Sequence, residues 1–131
     1  MQIVHSGDEL AYLLDANGPG DQIGDDFSPQ AWIKDPRHLA LRIGNDLAMF
    51  EHKGDGEWLG HIWYNSRGQR ALDRARIMLN AMFARYSAKV INGEVPATRK
   101  DVAAFVRRLG FKPTGTAVRP QGRVKLFTLT I

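Results

Sequence analysis

The residues best suited to chemistry lie together near the middle of the chain. His61 stands in an apolar run, Glu57-Trp58-Leu59-Gly60-His61-Ile62-Trp63-Tyr64. An imidazole takes up and releases a proton near neutral pH, so a histidine here is suited to general-base work. The competing role is a half-buried histidine bonded to neighbouring backbone. Glu51 and Glu57 are lesser candidates, because a carboxylate at a strand end is usually solvated. Directly after the run comes Asn65-Ser66-Arg67-Gly68-Gln69-Arg70. If a helix starts there, its first N–H groups lack internal partners and its dipole is positive, so Arg67, Gly68, Gln69 and Arg70 read as a seat for an anion or phosphate. Arg67, Arg70 and Arg74 recur at helical spacing on one face. They fit a phosphate clamp, a nucleic-acid backbone, or a merely solvated surface.

The helix that would position this seat is legible from its period. Ala71, Ala75, Met78 and Met82 form one stripe, and Leu72, Leu79, Phe83 and Tyr86 form the stripe beside it. Before it, Ser6 and Glu9 stand at capping-box spacing ahead of Leu10, Leu13 and Leu14, and Gly18-Pro19-Gly20 closes that first helix. Asp21 to Phe27 reads as a loop, Ser28-Pro29 opens a short helix stopped by Pro36, and Trp32 is expected to pin it to the core. From His38 the period changes to two. Strands His38–Ile43, Leu47–His52 and Trp58–Tyr64 are separated by turns at Gly44-Asn45-Asp46 and Asp55-Gly56.

Beyond the long helix, Ala88–Ile91 reads as strand. Thr98 with Asp101 is expected to cap a helix whose buried stripe is Val102, Phe105, Val106 and Leu109, with Gly110 as its stop. Thr116–Arg119 and Val124–Ile131 close the chain as a hairpin. The order is strand, helix, helix, three strands, long helix, strand, helix, two strands. It predicts an α/β fold with a mixed (α+β) sheet of six to seven strands flanked by about four helices, parallel only across the long helix. The ligand crevice of such a sheet lies at the strand ends where connections diverge, at the Arg67 turn.

A chain of 131 residues, 44% hydrophobic, is expected to form one domain over 1–131. With no cysteine there is no disulfide or thiolate chemistry, and His5, His38, His52 and His61 lack metal-ligand spacing, so no metal is expected. Neither a membrane span nor a secretory signal is read, so a cytoplasmic protein is expected. The formal charge of +4 and pI near 9.7 favour anionic partners: phosphorylated cofactors, acidic proteins, or more weakly nucleic acid.

The element order, the basic turn and the helix ending Phe105-Val106-Arg107-Arg108-Leu109-Gly110-Phe111 together resemble the GCN5-related N-acetyltransferase (GNAT) superfamily. Tyr64 to Arg70 looks like the run into that family's acyl-CoA loop. More narrowly, His61, Arg67-Gly68, Val95-Pro96-Ala97 and Arg107 to Phe111 are similar to small GNAT-like proteins of bacteriophages. The resemblance implies transfer of acetyl from acetyl-CoA to an amine. It implies His61 as the base, and Ile62, Trp63, Arg67, Gly68, Gln69, Arg70, Ala71 and Arg99 as cofactor-binding residues. A backbone N–H near Ile62 would polarise the thioester carbonyl. This chain departs from the family's pattern at four points. Arg70 and Leu72 replace small residues of the loop, Val106 stands where a thiolate-protonating tyrosine is common, and Arg99 where asparagine is common. The alternative implied is a GNAT-shaped binding module that has lost CoA and uses its basic face for a protein or nucleic acid.

Overall fold

The computed structural model describes residues 1–18 and 27–130. The chain runs β1 (Gln2–Ile3), α1 (Gly7–Asn17), α2 (Pro29–Lys34), β2 (His38–Ile43), β3 (Asp46–Gly54), β4 (Glu57–Trp63), α3 (Gly68–Arg85), β5 (Val90–Pro96), α4 (Lys100–Arg108), β6 (Lys112–Arg119) and β7 (Gly122–Thr130). The element order read from the sequence is the order observed. The seven strands form one sheet in the order β1-β2-β3-β4-β5-β7-β6. Every neighbouring pair is antiparallel except β4 and β5, which are joined by the crossover helix α3.

Local chemistry sets the element ends. Ser6 caps α1 by accepting from the Glu9 N–H at 3.1 Å, and Glu9 returns a bond to the N–H of His5, one residue before the cap. Ser28 accepts from the Ala31 N–H, and Pro29 opens α2 where a missing N–H costs nothing. Asp55 (φ 52°) and Gly56 (φ 77°) turn β3 into β4, the left-handed pair that a tight hairpin demands. At the end of α4 the N–H of Phe111 reaches Val106 O and that of Gly110 reaches Arg107 O, a Schellman stop that folds buried Phe111 back onto the core.

Two cores lie on opposite faces of the sheet. On one, Leu41, Ala48, Phe50, Trp58, Ile91, Val95 and Phe127 meet Met78, Leu79 and Met82 of α3 and Ala103 of α4. On the other, Ala40, Leu47, Met49 and Trp63 meet Leu10, Leu13 and Leu14 of α1, with Trp32 packed half-buried at the edge. Each fully buried Leu, Met or Phe contributes about 1.5–3 kcal/mol of transfer free energy.

The structure corrects several local expectations. Asp46 belongs to β3, so the preceding turn is Gly44-Asn45, two residues long. β5 continues to Pro96 and β6 begins at Lys112, because pairing with β7 carries both past the limits that propensity sets. Thr98 is not the cap of α4: Arg99 holds that position without a side-chain cap bond, and the Asp101 carboxylate is taken by the Arg99 guanidinium at 3.1 and 3.2 Å. Val102, Phe105, Val106 and Leu109 are half-buried rather than buried, because the face they form borders a cleft. The loop read over Asp21 to Phe27 lies outside the described residues except for Phe27.

Candidate active site

The cleft arises where the parallel pair comes apart. β4 and β5 stay in register from Glu57↔Val90 to Gly60↔Gly93, and there their pairing ends, while β4 remains paired to β3 through Trp63. Past Gly60 the backbone groups of β4 that face β5 have no ladder partner in it, so polar backbone is presented to whatever enters the gap. The last paired residues are both glycines. A Cβ on Gly60 would meet the Phe50 ring at 3.1 Å, whereas one on Gly93 would enter open space. The resulting cleft holds about 420 Å³ and is bordered by both splayed strands, the start of α3 and one face of α4. That volume is within the range of small-molecule sites.

One end of the cleft is the turn into α3. Arg67 occupies the N-cap position and offers no acceptor, so no side chain caps the helix. Gly68 has φ +61°, a conformation that any larger residue would adopt only under strain. The first-turn N–H groups are thus available to an anion. The Arg67 guanidinium folds back over the turn, donating through Nη1 to Tyr64 O at 2.8 Å and Ser66 O at 3.0 Å. Beneath lies Asp46, the one fully buried charged side chain among the described residues. Its Oδ1 accepts from the N–H groups of Asn65 (2.7 Å) and Ser66 (2.9 Å), and its Oδ2 from the Ser66 hydroxyl and from Arg74 Nη1 (3.0 Å). Burial opposes ionisation of Asp46, but the combined bonds from Ser66, Arg74 and Asn65 outweigh it and hold the carboxyl below its ordinary range.

His61 is at the other end. It pairs with Met49 and therefore leaves β4 on the α1–α2 face, opposite α3 and α4. Its Nε2 lies 3.5 Å from Glu51 Oε1, and its ring centroid 6.0 Å from that of Trp63. The Glu51 carboxyl is held down at about 2, first by His61 and then by Lys53, whose Nζ sits 3.1 Å from Oε2. On the facing strand Glu94 forms a two-bond pair with Arg119 at 2.9 and 2.8 Å, which keeps its carboxyl ionised to lower pH than usual.

Of the site residues expected from sequence, His61, Ile62, Trp63, Arg67, Gly68, Ala71 and Arg99 border this one cleft. Gln69 and Arg70 do not: Gln69 bonds Asp73 at 2.8 Å, and Arg70 is exposed at the helix start. Leu72 is buried in the interior, so neither replacement of a small loop residue fills the cleft. Arg74 is correspondingly a partner of Asp46. Sequence reasoning missed Asn92, Gly93, Glu94 and Pro96, which form the second wall. It also missed Asp46, read only as part of a turn. Among the described residues no cluster of three metal-ligating side chains occurs, and no helix is long and apolar enough to cross a membrane.

No family model and no curated protein sequence matches the chain. Solved structures do. A variant of the spermidine N-acetyltransferase SpeG from Vibrio cholerae superposes with a TM-score of 0.76 at 11% identity, covering 98% of this chain and 93% of that one. The aminoglycoside acetyltransferase AAC(6')-Ib in complex with coenzyme A gives 0.70 at 12%, covering 98% and 92%. An uncharacterized protein from Bacillus halodurans gives 0.66 at 12%, covering 77% and 63%. Among the described residues the mixed seven-stranded sheet and its four helices match these acetyltransferases in architecture, and the chain has the GNAT fold.

Proposed function

We propose that this chain is an acyl-CoA-dependent N-acyltransferase that moves acetyl from acetyl-CoA to an amine. The observation that carries the proposal is the cleft that opens where β4 and β5 part beyond Gly60 and Gly93, bordered by an uncapped helix start and by His61. The fit of acetyl-CoA rests on that geometry. The first-turn N–H groups of α3 and Arg67 would hold the diphosphate, and the backbone of β4 beyond Gly60 would bond the extended arm, with Ile62, Trp63 and Ala71 beside it. Arg99 borders the α4 side. An amine approaching from the α1–α2 face would lose its proton to His61 and attack the thioester carbonyl. The N–C bond forms, the C–S bond breaks, and the thiolate leaves toward the α3–α4 side. Val106 has no proton to give, so the thiolate is protonated by water, which a thiol of ordinary acidity tolerates.

The test is acetyl-CoA-dependent thiol release with a panel of amines. His61→Ala should lower kcat roughly a hundredfold while leaving acetyl-CoA affinity within about twofold. A folded His61→Ala protein of full activity would remove His61 from the mechanism.

A further inference from the structure

We propose that Asp46 is the positioning residue of the diphosphate seat: it fixes the turn from Asn65 to Arg67 so that only the N–H groups of the α3 first turn face the cleft. This rests on the acyl-CoA reading of the cleft. Asp46 stands at the first position of β3 and is fully buried, yet every bond its carboxylate is seen to accept comes from the turn or from the helix that the turn introduces.

Bonds from the Asn65 and Ser66 N–H groups to one carboxylate oxygen pin two successive peptide planes. Without that oxygen both groups would be free to turn toward a phosphate or toward water, and the seat would have no single geometry. The second oxygen ties the Ser66 hydroxyl and Arg74, which binds the turn to the body of α3 seven residues beyond the cap. The Arg74 guanidinium also reaches Ile43 O at 3.4 Å, so the β2–β3 turn, the β4–α3 turn and the helix are held at one point. Neutralisation by Arg74 has a further effect, because a buried carboxylate beneath a phosphate seat would otherwise repel the ligand. Arg74 thereby acts on the anion by cancelling Asp46, while Arg67 and the helix N–H groups are left to contact it.

The experiment compares two thioesters on the same protein, acetyl-CoA and S-acetylpantetheine, the second lacking the diphosphate and nucleotide. Dissociation constants are measured for wild type, the charge-neutral double variant Asp46→Ala with Arg74→Leu, and Ser66→Ala, with folding checked by circular dichroism. The double variant, which removes both acceptor oxygens together with the cation that cancels them, should weaken acetyl-CoA tenfold or more and S-acetylpantetheine less than twofold. Ser66→Ala, which removes one bond and leaves the other three, should show the same selective loss at a few-fold. Should the double variant fail to fold, the Ser66→Ala ratio alone decides. Equal weakening of both thioesters would make Asp46 a general stability residue and overturn the proposal, as would unchanged acetyl-CoA binding in folded variants. If wild type itself binds no acetyl-CoA, the reading of the cleft falls and this proposal falls with it. Wild-type binding with insensitive variants defeats the positioning role alone.

Discussion

Glu51 Oε1 lies 3.5 Å from His61 Nε2 across adjacent strands, a diagonal pair on the sheet face that α1 and α2 partly cover. Lys53 holds the other carboxylate oxygen, and the Glu51 carboxyl titrates at about 2 instead of 4.5. A carboxyl whose folded pKa is depressed stabilises the fold above its unfolded pKa and loses that contribution as pH falls through the folded one. The stability difference between wild type and Glu51→Gln should therefore shrink as pH falls from 4.5 to 2. Urea titrations across that window measure it; a difference independent of pH would contradict the pairing.

Tyr64 carries the opposite imbalance. Its ring stacks edge-on against Phe105, but its hydroxyl is buried with no hydrogen-bond partner, and burial pushes its pKa well above the ordinary value. An unsatisfied buried hydroxyl costs about 1–3 kcal/mol. Tyr64→Phe should raise the midpoint of thermal unfolding, read by calorimetry. A lowered midpoint would mean that the hydroxyl has a partner in solution.

The order of elements was legible because each long segment keeps one period: Ala71 to Met82 can only be an amphipathic helix, and Leu39 to Ile43 only a strand. Two borders of the cleft were legible too, since His61 and the Arg67 turn stand out by residue type. Its second wall was not. The strand read from the sequence stops at Ile91, and Asn92-Gly93-Glu94 extends it because β7 pairs with it along its whole length. Asp46 was hidden for a related reason. Asn45-Asp46 is ordinary turn chemistry, and nothing local announces that the carboxylate will be sealed inside by bonds from residues 19 to 28 positions away. Likewise the spacing of Arg67, Arg70 and Arg74 is the same whether an arginine is solvated, bonded to phosphate or paired with a buried acid.

Arg67 and Arg74 should accordingly fail in different ways. Arg74→Ala removes the cation beside a fully buried carboxylate and should cost about 3 kcal/mol of stability or more, since an uncompensated buried charge is left behind. Arg67→Ala lies on an exposed turn and should cost about 0.5 kcal/mol or less, yet weaken acetyl-CoA severalfold. Denaturant melts paired with ligand titrations separate the two. Equal stability losses would mean that Arg74 does not compensate Asp46.

Gly93 tests the cleft itself. A side chain there would project into open space, so Gly93→Leu should fold and melt close to wild type while blocking the gap between β4 and β5. Acetyl-CoA binding by a folded Gly93→Leu protein would place the ligand elsewhere.

Titration of the wild-type protein with acetyl-CoA in a calorimeter tests the central claim most directly. Saturable one-to-one binding is expected, with a melting temperature that rises with ligand concentration because the ligand selects the folded state. No heat and no shift at millimolar acetyl-CoA would contradict the account and leave a GNAT-shaped module whose exposed Arg70, Arg85, Arg107 and Arg108 serve some other anionic partner.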